Sequence, residues 1–114
     1  MTDQEINDRI LLLHGWRKVE KREWFEEQKY TDGNVVWRHR DMPNYSGDMR
    51  AAYELVLEMY SAKFSVNINI NVDASGIFCV CSMEDENLVY FVGDGETAPL
   101  AICKLYLAWK EGNR

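Results

Sequence analysis

Phe64-Ser65-Val66-Asn67-Ile68-Asn69-Ile70-Asn71-Val72 decides how this chain folds. Apolar and polar residues alternate without a break. A period of two over nine residues predicts a strand with one covered and one wet face. Asp73-Ala74-Ser75-Gly76 then predicts a turn. Ile77-Phe78-Cys79-Val80-Cys81 follows, apolar on both faces, as in a central strand covered on two sides. Glu84-Asp85-Glu86-Asn87 predicts a second turn and Leu88 to Val92 a third strand, with Gly93-Asp94-Gly95 as a loop. Thr97 is placed to cap a last helix. Pro99 falls in its first turn, where a missing N–H costs little. Leu100 to Trp109 is apolar nearly all round apart from Lys104, so that helix is either deeply buried or shared with another subunit.

On the N-terminal side, Ser46 is a good N-cap for a helix running to about Tyr60. Met49, Ala52, Tyr53, Val56 and Tyr60 line one face of it, and Arg50, Glu54 and Glu58 another. Pro43 disfavours helix in the residue before it, so residues 41–45 read as a loop. Val35 to Arg40 has β-branched and aromatic residues suited to a strand. Thr31-Asp32-Gly33-Asn34 before it predicts a hairpin closed at Asp32-Gly33. At the start of the chain, Thr2 and Glu5 form a capping-box pattern. Ile6, Ile10 and Leu13 give a helical apolar face, and Gly15 a left-handed stop. The order α-β-β-α-β-β-β-α implies one α+β domain over residues 1–114. It would hold an antiparallel, sandwich-like sheet of about five strands with helices packed on it, on one face or both.

Composition bounds the function. The chain has 114 residues, 46% hydrophobic and 28% charged. Such a chain buries roughly 65% of its unfolded surface and folds without a metal or disulfide. Thirteen Lys+Arg against nineteen Asp+Glu give a net charge of −6. That is not the balance of a general nucleic-acid binder. No apolar run approaches the roughly 20 residues that span a bilayer, and Met1-Thr2-Asp3-Gln4-Glu5 lacks the basic and apolar regions of a signal peptide. Three cysteines, Cys79, Cys81 and Cys103, read as free thiols in the cytoplasm. Alternation puts Cys79 and Cys81 on one face of a strand as small buried hydrophobes. Zinc needs about four converging ligands, and the sequence offers no second cysteine pair. His14 and His39 are the only histidines.

Residues 16–40 differ from the rest. Seven basic residues (Arg17, Lys18, Lys21, Arg22, Lys29, Arg38, Arg40) stand against five acidic ones, interleaved with Trp16, Trp24, Phe25, Tyr30 and Trp37. Residues 51–114 hold four basic and nine acidic residues. Aromatic faces stack on bases, and guanidinium forks bind phosphates bidentately. Cross-strand aromatic pairing and a solvated charged face account for the same pattern. Free N–H groups at helix starts near Ser46 and Thr97 add two weak anion sites. Glu26-Glu27 and Glu84-Asp85-Glu86 are adjacent runs, not carboxylates converging from separate elements as acid–base work requires.

Gly15-Trp16, Trp37, the run Pro43-Asn44-Tyr45-Ser46-Gly47-Asp48-Met49-Arg50-Ala51-Ala52-Tyr53-Glu54-Leu55-Val56 and the closing Glu96-Thr97-Ala98-Pro99-Leu100-Ala101-Ile102-Cys103-Lys104-Leu105 together resemble the phage ABA sandwich domain family. The family tends to carry tryptophan where this chain has Tyr53, and the Asn-rich strand is not part of its pattern. The resemblance implies a small tailed-phage protein with helices flanking a sheet. It implies no catalytic residues.

The expected function is that of a phage accessory protein that sequesters an anionic small molecule, for instance a nucleotide-derived immune signal of the host. Stacking falls to Trp16, Trp24, Trp37 or Tyr45, phosphate contacts to Arg17, Arg38 and Arg40, and anion capture to Ser46 and Thr97. No cofactor or metal is expected. The helix over residues 98–110 is the expected surface for a homo-oligomer. The alternative is a non-enzymatic protein-interaction or virion-associated module, whose anchors would be the same Trp and Arg residues. A third reading, a metal-dependent phosphodiesterase-like enzyme, would need a base from His14 or His39.

Overall fold

A computed structural model describes residues 2–20, 23–26, 36–38 and 43–112, with the side chains of residues 17–42 not among them. In chain order the elements are α1 (Asp3–Leu13), β1 (Trp16–Glu20), β2 (Glu23–Glu26), β3 (Val36–Arg38), α2 (Met49–Ser61), β4 (Ser65–Asp73), β5 (Gly76–Glu84), β6 (Tyr90–Gly95) and α3 (Ala98–Gly112). The chain is α+β, as expected. Instead of about five strands in one sheet, the described residues form two three-stranded antiparallel sheets, β1-β2-β3 and β4-β5-β6. The expected turn at Asp32-Gly33 lies outside the described residues.

The alternation in β4 sets the register of the second sheet. All nine β4 residues pair with β5, from Ser65 with Glu84 to Asp73 with Gly76. At the tip, the Asp73 carboxylate accepts from the Ser75 backbone N–H at 2.8 Å. Partners across strands share a face. Val66, Ile68, Ile70 and Val72 therefore stand with Met83, Cys81, Cys79 and Ile77. On β6 that face continues through Phe91, Gly93 and Gly95.

The three helices pack mainly on one another and on this face. α3 lies on β5 and β6, α2 on α3 and β4, and α1 on α3. Gly93 makes the contact possible. A Cβ there would stand 2.2 Å from the Leu105 backbone nitrogen and 2.6 Å from the Ala101 carbonyl oxygen. Residues 93–95 are thus strand and not the expected loop. α3 buries Ala101, Ile102, Cys103, Leu105, Tyr106, Leu107 and Trp109 inside one chain. Its all-round apolarity is spent within the fold, on the sheet below and the helices beside it.

Four further expectations change. β5 is central but not covered on both sides, since Phe78 on its far face stays 45% exposed. α2 begins at Met49, capped by the Asp48 carboxylate, which accepts from the Arg50 N–H at 3.0 Å. Ser46 is not the cap, because residues 44–48 first make a turn in which the Asp48 N–H donates to the Asn44 carbonyl at 2.9 Å. The buried face of α2 is Ala52, Leu55 and Met59, and Tyr53 and Tyr60 point outward. On α1, Leu11 joins Ile6 and Ile10 in the buried face, and the expected Leu13 is exposed. Thr2 caps α1 and Gly15 turns left-handed with φ +90°. Cys79, Cys81 and Cys103 are buried free thiols. Among the described residues no helix is long and apolar enough to cross a membrane.

Candidate functional site

Polar side chains from α1, the 43–46 segment, α2 and α3 meet at one point. His14, at the C-cap of α1, brings Nδ1 to 3.2 Å from the Tyr45 hydroxyl. Its Nε2 lies 3.1 Å from the Glu58 Oε2 and 2.9 Å from the Tyr106 hydroxyl. The Tyr106 hydroxyl donates to the Glu58 carboxylate at 2.9 Å. Lys110 reaches the same carboxylate at 3.3 Å and lies over the Trp109 ring, 4.1 Å from its centroid. One proton assignment satisfies every member. The Tyr45 O–H donates to Nδ1, the Nε2–H donates toward Tyr106 and Glu58, and Tyr106 donates onward to Glu58.

Burial raises the Glu58 carboxyl, but hydrogen bonds from Tyr106, His14 and Lys110 outweigh it and hold the group below its ordinary value. Burial, then the negative charge of Glu58, push the Tyr45 phenol up to about 12. Burial and the bond to Glu58 raise Tyr106 as well. At neutral pH both phenols are neutral donors and Glu58 is an anion ringed by donors. Its lone pairs are occupied by groups on its own chain. The arrangement ties α1, α2 and α3 together, and Arg9 paired with Glu111 adds a second tie from α1 to α3. Nothing in the sequence pointed to Glu58, Tyr106 or Lys110 as a group. The available signal was Tyr106 in the middle of an apolar helix, since a buried phenol requires a partner.

The thiols give no nucleophile. Burial, then the neighbouring Cys79, raises Cys81 to about 11, and burial with the Asp3 charge raises Cys103 to about 12. Among the described residues, no group of three or more His, Cys, Asp or Glu side chains converges as a metal site would need.

The expected binding residues fall in different places. Tyr45 is buried with its hydroxyl on His14. Ser46 is 3% exposed, and its hydroxyl has no partner among the described residues, while its N–H donates to Asn7 at 2.9 Å. The Thr97 hydroxyl accepts from the Leu100 N–H at 3.4 Å in the first turn of α3. Trp16 packs half-buried against the core. In the first sheet Trp24 pairs with Trp37, and Arg38 with Glu23. Arg17 pairs with Phe25 and Lys18 with Trp24. The register thus gives Trp16, Trp24 and Trp37 positions of one face, and Arg17 and Arg38 positions of the other. Arg40 and His39 lie outside the described residues.

Exposed apolar side chains gather elsewhere, along α2 and β4. Tyr53, Val56, Leu57 and Tyr60 on α2, with Val66 on β4, line an open groove of about 310 Å³. Beyond it, on the same face of the sheet, exposure climbs from Ile68 at 38% through Ile70 at 62% to Val72 at 73%. The helices stop short of the hairpin tip, so the apolar half of the alternation runs on past its cover.

A family model of the phage ABA sandwich domain matches residues 12–104. The chain belongs to that family. The match takes in both sheets, α2 and the first half of α3, so this phage domain comprises most of the chain. No curated protein matches the chain.

Proposed function

We propose that this phage ABA sandwich domain is a protein-interaction module whose working surface is the apolar stripe along α2 and the outer half of β4. One observation carries the reading: Ile70 and Val72 are 62% and 73% exposed, on the face that elsewhere forms the core. Apolar residues that alternate in register yet find no cover in their own chain suit cover by another. The polar cluster at His14 serves the fold, and the stripe serves the partner. A reducing compartment of the host cell agrees with three buried free thiols. The test is affinity capture from expressing cells with the wild-type chain and with Ile70→Asp. A protein held by the wild type and released by the variant, an untagged copy of this chain counted among them, supports the reading, and identical captures refute it.

A second reading, sequestration of an anionic small molecule such as a nucleotide, draws on the first sheet. Arg17 and Arg38 take positions of one face there, on the strands either side of β2. Thermal melting against a nucleotide panel tests it. A ligand specific to the folded state raises the midpoint with concentration, and Arg17→Ala with Arg38→Ala abolishes the rise.

A further inference from the structure

We propose that the partner on this surface is a second copy of the same chain, joined edge to edge by antiparallel pairing of β4 with β4. The inference rests on the reading of α2 and β4 as the working surface, and names its occupant.

Among the described residues β4 pairs on one side alone, with β5. Among the described residues no strand lies against its other edge, whose N–H and C=O groups are there for another strand to pair with. Natural edge strands are shielded by lysine, proline, a bulge or short length. β4 has none of these. It contains no lysine and no proline, and its pairing with β5 runs unbroken from Ser65 to Asp73.

The strand is also self-complementary. Place a two-fold axis at Asn69, perpendicular to the sheet. Asn69 then faces Asn69 of the second copy, Asn67 faces Asn71, Ile68 faces Ile70, Val66 faces Val72 and Ser65 faces Asp73. Every apolar residue meets an apolar one and every amide meets an amide. Asp73, the single charge on the strand, meets a serine and not its own copy. A strand carrying a charge near its centre would place like charges opposite each other under this operation.

The symmetry also fills the groove. Val66 lies in the groove lined by Tyr53, Leu57 and Tyr60. Because Val66 faces Val72 of the second copy, the most exposed valine of each hairpin arrives beside the other's groove. The exchange happens twice, once on each side of the axis, and both helical layers lie on one side of a six-stranded sheet. Such an interface is isologous and closed, so assembly stops at two.

The test is a charge exchange at exposed residues. Asn67→Asp with Asn71→Asp in one chain puts two carboxylate pairs across the axis. Asn67→Lys with Asn71→Lys puts two ammonium pairs there. The wild type sediments as a dimer at tens of micromolar. Each double variant raises the dimer dissociation constant about tenfold or more with its melting curve little changed at low concentration. An equimolar mixture of the two restores a dimer holding one chain of each kind. A wild type that stays monomeric at hundreds of micromolar overturns the inference, and so do double variants that both remain dimeric. The Ile70→Asp capture result is read separately: a foreign protein lost with Ile70→Asp, from a monomeric wild type, retains the module and removes the second copy.

Discussion

An alanine at position 93 pushes α3 off the sheet. The new Cβ would stand 2.2 Å from the Leu105 nitrogen, 2.6 Å from the Ala101 carbonyl oxygen and 2.7 Å from the Leu105 Cα. All three are backbone atoms, so no side chain can swing aside. Restoring ordinary contact moves the helix by roughly 1 Å, and a gap of that size forfeits about a quarter to a half of the dispersion energy across it. α3 carries seven buried residues, so the loss spreads over the middle of the core. Overpacking costs about 1–3 kcal/mol where the surroundings yield. With backbone on both sides, Gly93→Ala belongs at the upper end, about 3 kcal/mol. With a urea slope of about 1.5 kcal/mol per molar, the unfolding midpoint falls by about 2 M. Gly112→Ala is the control, because its Cβ would meet only Phe91, at 4.0 Å. It should stay within about 0.5 kcal/mol of the wild type. A Gly93→Ala midpoint equal to that of the wild type would refute the close packing of α3 on β6 and the core built upon it.

The remaining predictions concern pH and capping. The Glu58 carboxyl sits below 4.5 in the folded chain and returns toward it on unfolding. The unfolded chain therefore binds this proton at higher pH. The stabilisation is complete above about 4.5 and drains as pH falls through the lowered folded value. Denaturation series from pH 7 to pH 3 should show that loss in the wild type and a smaller one in Glu58→Gln. At pH 7 that variant should lose about 1 kcal/mol, a charge-assisted bond discounted for partial exposure. Asp48→Ala removes the α2 cap and should cost about 1 kcal/mol in chemical denaturation. Ser46→Ala removes a buried hydroxyl with no partner among the described residues, so it should be neutral or slightly stabilising. The opposite ranking would return the cap to Ser46.

The second sheet and the helices were legible because each residue there answers to a local rule. β4 reads as a strand from period two alone, and Thr2, Gly15 and Pro99 mark helix ends through their own backbone chemistry. Burial was less legible, because it depends on how far a covering element reaches. Alternation put Ile70 and Val72 under cover, yet α2 and α3 end before the tip, so the same pattern is core at Met83 and surface at Val72. The face of α2 was misread for a related reason. The expected stripe of Met49, Ala52, Tyr53, Val56 and Tyr60 and the buried one of Ala52, Leu55 and Met59 share Ala52 and are both helical, and only contact with α3 chooses Leu55 and Met59 over the tyrosines. The cluster at His14 joins residues 14, 45, 58, 106 and 110. No spacing rule links positions so far apart, and only the requirement that a buried Tyr106 find a partner points toward it.

Two regions of the phage domain thus differ in chemistry. Where polar groups are buried, at Tyr45 and Tyr106, or half-buried, at Glu58, they satisfy one another, as the cost of an unpaired buried group demands. Where apolar groups are left in water, at Ile70, Val72 and Tyr60, nothing in the fold requires them to be apolar. Serine or threonine there would keep β4 paired with β5 and cost the core nothing. Each isoleucine or valine held in water instead gives up burial worth about 1.5–3 kcal/mol. A second chain recovers that only if it presents apolar residues at the same period and with no charge among them. β4 itself meets that requirement at every position, which is the reason for placing its own copy opposite it.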